Sequence, residues 1–281
     1  MSEPMTGPTL DLLDRPEVLG VLFHPRREAG VPQISAGVHT VRLEVEENVS
    51  IGGKIFAAGP GAPVIIFFHG NGEIASDYVS IAPLFRRLGL TLFVIDYRGY
   101  GMSDGWPTST ALLRDAWACY QRAGDVLAAR KIAFERLYLM GRSLGSAAVL
   151  EIAARQSEGI AGLIIESGFA HTFALIERLG GIRLPNARED RDGFGNLAKI
   201  AGVYLPTLII HGEEDFIIPV EDGRDLYDAS PAEQKHLVTV PGAGHNDLML
   251  IGRNAYFAAI AQFCGLSPVP ARYSRLRPKA C

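Results

Sequence analysis

Gly141-Arg142-Ser143-Leu144-Gly145 places a hydroxyl between two glycines, after the apolar run Leu137–Met140 and before a small-residue, helix-forming run. G-x-S-x-G at a strand-to-helix junction is the pattern of a nucleophile elbow. The turn is tight, so the serine backbone is strained and its side chain projects above the sheet edge. Side chains at the flanking positions would collide with the neighbouring strand and helix, which accounts for Gly141 and Gly145. Ser146, Ala147 and Ala148 let the helix come close, and its first-turn N–H groups aim at the reacting centre. A glycine-rich turn whose serine only caps a helix would carry the same pattern; the strand before and the helix after favour the elbow.

Such a serine needs a base. The histidines are His24, His39, His69, His171, His211, His236 and His245. His39, His69, His211 and His236 lie beside strand-like runs and read as structural, with His69 and His211 placed to line the mouth of a site. His245 differs: it sits in the glycine-rich loop Pro241–Asp247, after the last apolar run, from which an imidazole can reach the elbow. A carboxylate must fix its tautomer and stabilise the imidazolium. Asp215, between a strand and a helix in His211–Pro219, fits best, and Ser143, Asp215, His245 is the chain order of G-x-S-x-G hydrolases. Glu166, ending the preceding strand, is the rival; Glu213 and Glu214 read as facing solvent. An oxyanion hole needs two donors. Leu144 N–H follows the serine, and Asn71 N–H lies in Phe68-His69-Gly70-Asn71-Gly72-Glu73, where Gly70 and Gly72 leave amides unobstructed.

The elements that must carry these residues are legible as two alternating patterns. Val38–Val45 alternates apolar and polar residues, as a half-buried antiparallel strand does, and Ser50–Ala57 can pair with it. Short apolar runs then recur at Val64–Phe68, Thr91–Ile95, Arg136–Met140, Gly159–Ile165, Thr207–Ile210 and His236–Val240, each fit for a strand buried on both faces. Amphipathic stretches of helical length separate them: Ile74–Leu88, Thr110–Arg130, Leu144–Gln156, Val220–Ala229 and Asp247–Phe263. This alternation predicts an α/β fold, a mostly parallel sheet with helices on both faces. The longer connection at 168–204 reads as a cap insertion in a domain spanning 37–266, with 1–36 an extension packed on it and 267–281 a basic tail.

His69-Gly70-Asn71-Gly72-Glu73, Asp96–Gly105, Gly141–Gly145, His211–Pro219 and Gly242–Asp247, in this order, resemble the α/β-hydrolase superfamily. The likeness is to its compact serine-hydrolase branch of serine-aminopeptidase-like esterases and acyl thioesterases, and it covers roughly residues 40–263. It implies an eight-stranded sheet, a triad of Ser143, Asp215 and His245, oxyanion donors Asn71 and Leu144, no metal and no cofactor. It also implies that Asp96–Gly101 shapes the site. The expected activity is cleavage of carboxylic esters or thioesters through an acyl-enzyme. A peptidase is the alternative, needing Glu166, Glu177, Glu189 or Asp192 to anchor a charged peptide end. A fold-sharing protein that only binds ligand is the alternative of another class.

The bulk properties agree. The chain has 281 residues, 48% hydrophobic and 21% charged, with a formal net charge of −4, so nothing draws it to nucleic acid. Cys119, Cys264 and Cys281 form no CxxC pair and read as isolated thiols. No apolar run is long enough to span a bilayer, and residues 1–13 lack a secretory pattern. The expectation is a cytoplasmic enzyme whose partner is a small acyl substrate.

Overall fold

The computed structural model describes residues 10–29 and 37–266; the basic tail and the rest of the extension lie outside them. Eight strands form one sheet: β1 (Val38–Glu46), β2 (Val49–Phe56), β3 (Val64–Phe68), β4 (Thr91–Ile95), β5 (Leu137–Arg142), β6 (Gly162–Glu166), β7 (Thr207–Gly212) and β8 (Lys235–Val240). Their order is β1-β2-β4-β3-β5-β6-β7-β8. β1–β2 and β2–β4 pair antiparallel; every other pair is parallel. The first two strands meet through a tight turn in which Asn48 adopts a left-handed φ of 61°, a conformation asparagine tolerates.

From β3 to β7 the apolar runs become strands because both of their faces are covered, whereas the edge strand β8, expected to be buried on both faces, is only half-buried because it has a neighbour on one side alone. Along β3, Val64, Ile66 and Phe68 join one core while Ile65 and Phe67 join another, the two-residue period of a pleated strand. The first core is closed by α1 (Pro16–Leu22), α3 (Ser109–Ala128), α4 (Gly145–Arg155), α5 (Thr172–Gly180), α7 (Asn196–Ile200) and α8 (Val220–Ala229). The second is closed by a 3-10 turn (Ala75–Val79), α2 (Ala82–Arg87), α9 (Leu248–Ile251) and α10 (Arg253–Phe263). A short α6 (Glu189–Asp192) lies, with α5 and α7, in the connection between β6 and β7.

Two expected helices are broken. Ile74–Leu88 divides into the 3-10 turn and α2 because Pro83 stands in the first turn of α2; proline lacks an N–H and clashes with the preceding turn inside a helix. Asp247–Phe263 divides at Gly252, where any Cβ would run into the Val240 side chain.

Strand order decides where chemistry can occur. From β3 the chain moves outward to β4, then crosses back to place β5 on the other side of β3. Loops leaving the carboxyl ends of β3 and β5 therefore part in opposite directions, opening a crevice between them. Gly70–Glu73 leaves β3 and Ser143 leaves β5 at that crevice.

Candidate functional site

At the end of β5 the Ser143 backbone turns left-handed, with φ of 51°. Serine rarely takes this conformation, and it persists only where surroundings enforce it. Here they do: Ser143 N–H donates to Glu166 O at 2.9 Å, and Ser146 N–H donates to Ser143 O at 2.9 Å. A Cβ on Gly145 would strike the Phe68 carbonyl, and one on Gly141 would strike the Gly145 carbonyl. Both glycines are thus required by close approach of β3, β5 and α4.

The structure brings the three expected residues together. His245 Nε2 lies 3.0 Å from Ser143 Oγ, and its Nδ1 lies 2.7 Å from Asp215 Oδ2. Because a carboxylate only accepts, Nδ1 carries the proton and Nε2 is left to accept from the serine. The other Asp215 oxygen accepts from Ile217 N–H at 2.9 Å and Ile218 N–H at 2.7 Å. His211 stands 3.5 Å from the same carboxylate. Burial alone would raise the Asp215 carboxyl, but hydrogen bonding from His211 and His245, the His245 charge and the Ile218 N–H outweigh it and hold it well below its ordinary value. Asp215 therefore stays anionic across the pH range of most proteins.

The loops carrying these groups are stitched to each other. Glu214 N–H donates to Ala243 O at 2.9 Å, and Gly212 has no room for a side chain against Ala243. Glu213 and Glu214 are exposed. The rival Glu166 does not approach His245 through its side chain: its oxygens accept from Arg142 Nε at 3.1 Å and Tyr256 OH at 2.7 Å.

Asn71 and Leu144 border the same cavity as Ser143 and His245. Asn71 Oδ1 accepts from Tyr100 OH at 2.6 Å and His24 N–H at 2.8 Å, while Nδ2 donates to His24 Nδ1 at 2.7 Å. Gly70 N–H donates to Glu73 Oε2 at 2.8 Å, and Gly72 takes a φ of 77°. Leu144 opens α4, where the first N–H groups have no intrahelical acceptor. His69, expected at the mouth, is instead fully buried behind the loop, its Nδ1 2.8 Å from Gly70 O and its Nε2 3.2 Å from Asp96. His211 is likewise fully buried, its Nε2 2.8 Å from Ile218 O. Both support the site's loops from behind; neither lines the cavity.

Arg142, the variable residue of the elbow motif, has a place that sequence reasoning missed. Its guanidinium donates to Glu166, to Glu73 Oε1 at 2.5 Å, to His245 O at 2.7 Å and to Asn246 Oδ1 at 3.1 Å. One side chain thereby links the β3 loop, the end of β6 and the histidine loop. Burial works against its charge, and the carboxylates of Glu73 and Glu166 outweigh that effect. Burial pushes Glu166 up despite Arg142; for Glu73, nearer the surface, Arg142 and the Tyr78 hydroxyl overcome burial and lower it. The signal in the sequence is Glu73, an acid beside the two glycines of the β3 loop.

The cavity has a volume of about 170 Å³, and its apolar lining is Leu22, Leu144, Leu175, Leu179 and Ile217. A larger hollow of about 710 Å³ lies at the opposite ends of β5–β8 and includes none of these residues. Among the described residues no group of three or more His, Cys, Asp or Glu is placed to hold a metal ion. No described helix is long and apolar enough to cross a membrane.

The chain matches the family model for serine aminopeptidase, S33, over residues 60–179 and 179–249. It is 32% identical over 231 residues to an uncharacterized protein of Mycobacterium tuberculosis, covering 79% of this chain and 78% of the relative. It is 30% identical over 238 residues to alpha/beta hydrolase domain-containing protein 17C of Xenopus tropicalis, covering 80% and 69%. Its fold superposes on the Pyrococcus furiosus esterase Pf2001 with a TM-score of 0.67 at 19% identity, covering 86% of this chain and 98% of the esterase.

Proposed function

The chain belongs to the S33 serine-aminopeptidase family of α/β-hydrolases, and from that membership we propose that it is a serine hydrolase of uncharged carboxylic esters or thioesters. The observation that carries this reading is the buried relay from Ser143 Oγ through His245 to Asp215, at 3.0 and 2.7 Å, bordering a small apolar cavity.

In this mechanism Ser143 Oγ attacks the acyl carbon while His245 Nε2 takes its proton. The carbonyl oxygen becomes an oxyanion held by the Asn71 and Leu144 N–H groups. Asp215 keeps the Nδ1 proton in place and balances the imidazolium without being protonated itself. Collapse expels the alcohol or thiol, which leaves with the proton from Nε2. Water then attacks the acyl-enzyme, giving its proton to His245, and the second collapse frees the acid and restores Ser143. In the same reading residues 37–266 form the hydrolase domain and 168–204 act as its cap.

The peptidase alternative lacks an anchor. No carboxylate lines the cavity, and each of the four acids expected to serve as one holds another group. Glu166 holds Arg142 and Tyr256, Glu177 pairs with Arg183 at 2.5 Å, and Glu189 accepts from Phe173 N–H at 2.9 Å. Asp192 accepts from Arg188 N–H at 2.9 Å and pairs with Arg191 at 2.7 Å.

The test is hydrolysis of p-nitrophenyl acyl esters and aminoacyl naphthylamides by the intact protein and by Ser143→Ala. Ester turnover is expected to fall by about 10⁶-fold in the variant, with naphthylamides untouched by either protein. Preference for naphthylamides would favour the peptidase, and an unlabelled Ser143 after exposure to a fluorophosphonate would leave a ligand-binding role.

A further inference from the structure

We propose that the segment 10–29 is part of the active site, and that Leu22 at the end of α1 limits the acyl group to a short, uncharged chain. The inference rests on the esterase reading above and specifies its substrate.

The segment lies wholly before residue 60, where the family match begins, yet it reaches the site at two points. Leu22, only 2% exposed, lines the cavity that contains Ser143 and His245. Two residues later, His24 binds both ends of the Asn71 side chain, through its N–H at 2.8 Å and its Nδ1 at 2.7 Å. The same helix that forms the wall therefore leads directly into the clamp on the proposed oxyanion loop.

The wall is fixed at both ends. Upstream, Asp14 Oδ1 accepts from Ser109 N–H at 2.7 Å and Thr110 N–H at 3.2 Å, tying the segment to the free donors at the start of α3. Downstream, Gly101 N–H donates to Arg26 O at 2.8 Å and Glu28 N–H to Gly101 O at 3.1 Å. Arg26 also binds Gly72 O at 3.2 Å and forms an ion pair with Asp77. Along its length α1 packs closely on α5: a Cβ at Gly180 would overlap the Val21 side chain. The helix that carries Leu22 is thereby seated against α5, which supplies Leu175 and Leu179 to the same cavity.

Size and chemistry then define the ligand. The cavity of about 170 Å³ is smaller than the roughly 300–1,000 Å³ of pockets that enclose drug-sized molecules. Besides Ser143, His245 and the amides of Asn71 and Asn246, its walls are leucine and isoleucine, and its one fixed charge, Arg142, is engaged by Glu73 and Glu166. A charged acyl group would lose hydration with no partner gained, and a long one would meet Leu22.

The experiment compares kcat/KM for p-nitrophenyl butyrate and decanoate in the full chain, Leu22→Val and Leu22→Phe, with fluorophosphonate labelling of Ser143 in all three. The starting protein is expected to favour butyrate. Leu22→Val should shift the ratio about tenfold toward decanoate, the lower end for one methylene in an apolar pocket, and Leu22→Phe should shift it the other way. Complete labelling of Ser143 at the end point in both variants, whatever its rate, shows that the serine is intact. Unchanged ratios in labelled, active variants, a starting preference for decanoate, or a shift that follows the alcohol rather than the acyl group would each overturn the inference alone. Absence of serine-dependent turnover and labelling in the unmodified chain would overturn the esterase reading and this inference with it.

Discussion

Two arginines in this molecule, Arg142 buried and Arg98 partly buried, hold the same company and do different work. Arg142 lies between Glu73 and Glu166; Arg98 lies between Asp115 and Glu46. In each cluster the deeper carboxyl, Glu166 or Asp115, is pushed up by burial. In each, the shallower one is lowered: Glu73 against its own burial by Arg142, and Glu46 chiefly by its hydrogen bond from Arg98. The difference lies in the remaining donors. Arg98 grips Asp115 with two N–H groups, at 2.6 and 2.9 Å, and reaches Glu46 at 2.8 Å, so it joins the β4 loop to α3 and β1. Arg142 gives each carboxylate one bond and turns its last nitrogen to His245 O and Asn246 Oδ1. The first cluster binds elements of the scaffold together. The second holds the backbone that carries the proposed base.

Substitution should separate these roles. Arg142→Met should lower kcat/KM about 100-fold, the scale of a misplacement near 1 Å, and cost about 3–5 kcal/mol by stranding two carboxylates. The loss should appear in kcat more than KM, with Arg142→Lys recovering stability better than rate, because an ammonium lacks the forked geometry. Ester kinetics beside thermal unfolding would read this; equal recovery of rate and stability by lysine would make Arg142 merely structural.

Arg98→Met should cost about 3 kcal/mol, since Asp115 is buried and loses both hydrogen bonds from Arg98, keeping only Arg114 at 3.8 Å, while folded protein keeps most of its kcat/KM. An activity loss comparable to that of Arg142→Met would erase the distinction.

A smaller effect concerns pH. The Glu73 carboxyl is held below its ordinary value of 4.5, so its contribution is present above that value and fades as pH falls through the lower folded value. Glu166 is raised and has the opposite sign, its contribution fading as rising pH ionises it. Glu73→Gln should therefore lose less Tm than the unmodified chain between about pH 6 and about pH 3.5. Parallel Tm curves for the two would show that Glu73 carries no such linkage.

What the chain determines by itself is local. The order of strands and helices follows from the spacing of apolar residues, since a strand buried on both faces and a helix buried on one need different periods. Gly141 and Gly145 are legible because their collisions, with Gly145 and with the adjoining strand, are inherent in a strand that turns at once into a helix. Ser143, Asp215 and His245 could be singled out because each sits in a loop directly after an apolar run. The broken helices were readable in principle from Pro83 and Gly252, but the amphipathic pattern continues across both breaks.

Tertiary structure decided the pairings. Glu73 stands 69 residues from Arg142, Glu166 stands 24 away and His245 103 away, and nothing in those intervals indicates which carboxyl meets which base. Glu166 accordingly read as a rival acid, and residues 1–36 only as an extension packed on the domain, although Leu22 borders the nucleophile. The reason is physical. Strand order brings the ends of β3, β5, β6, β7 and β8 to one edge of the sheet, and only there does a side chain's meaning depend on its neighbours across that edge rather than along the chain.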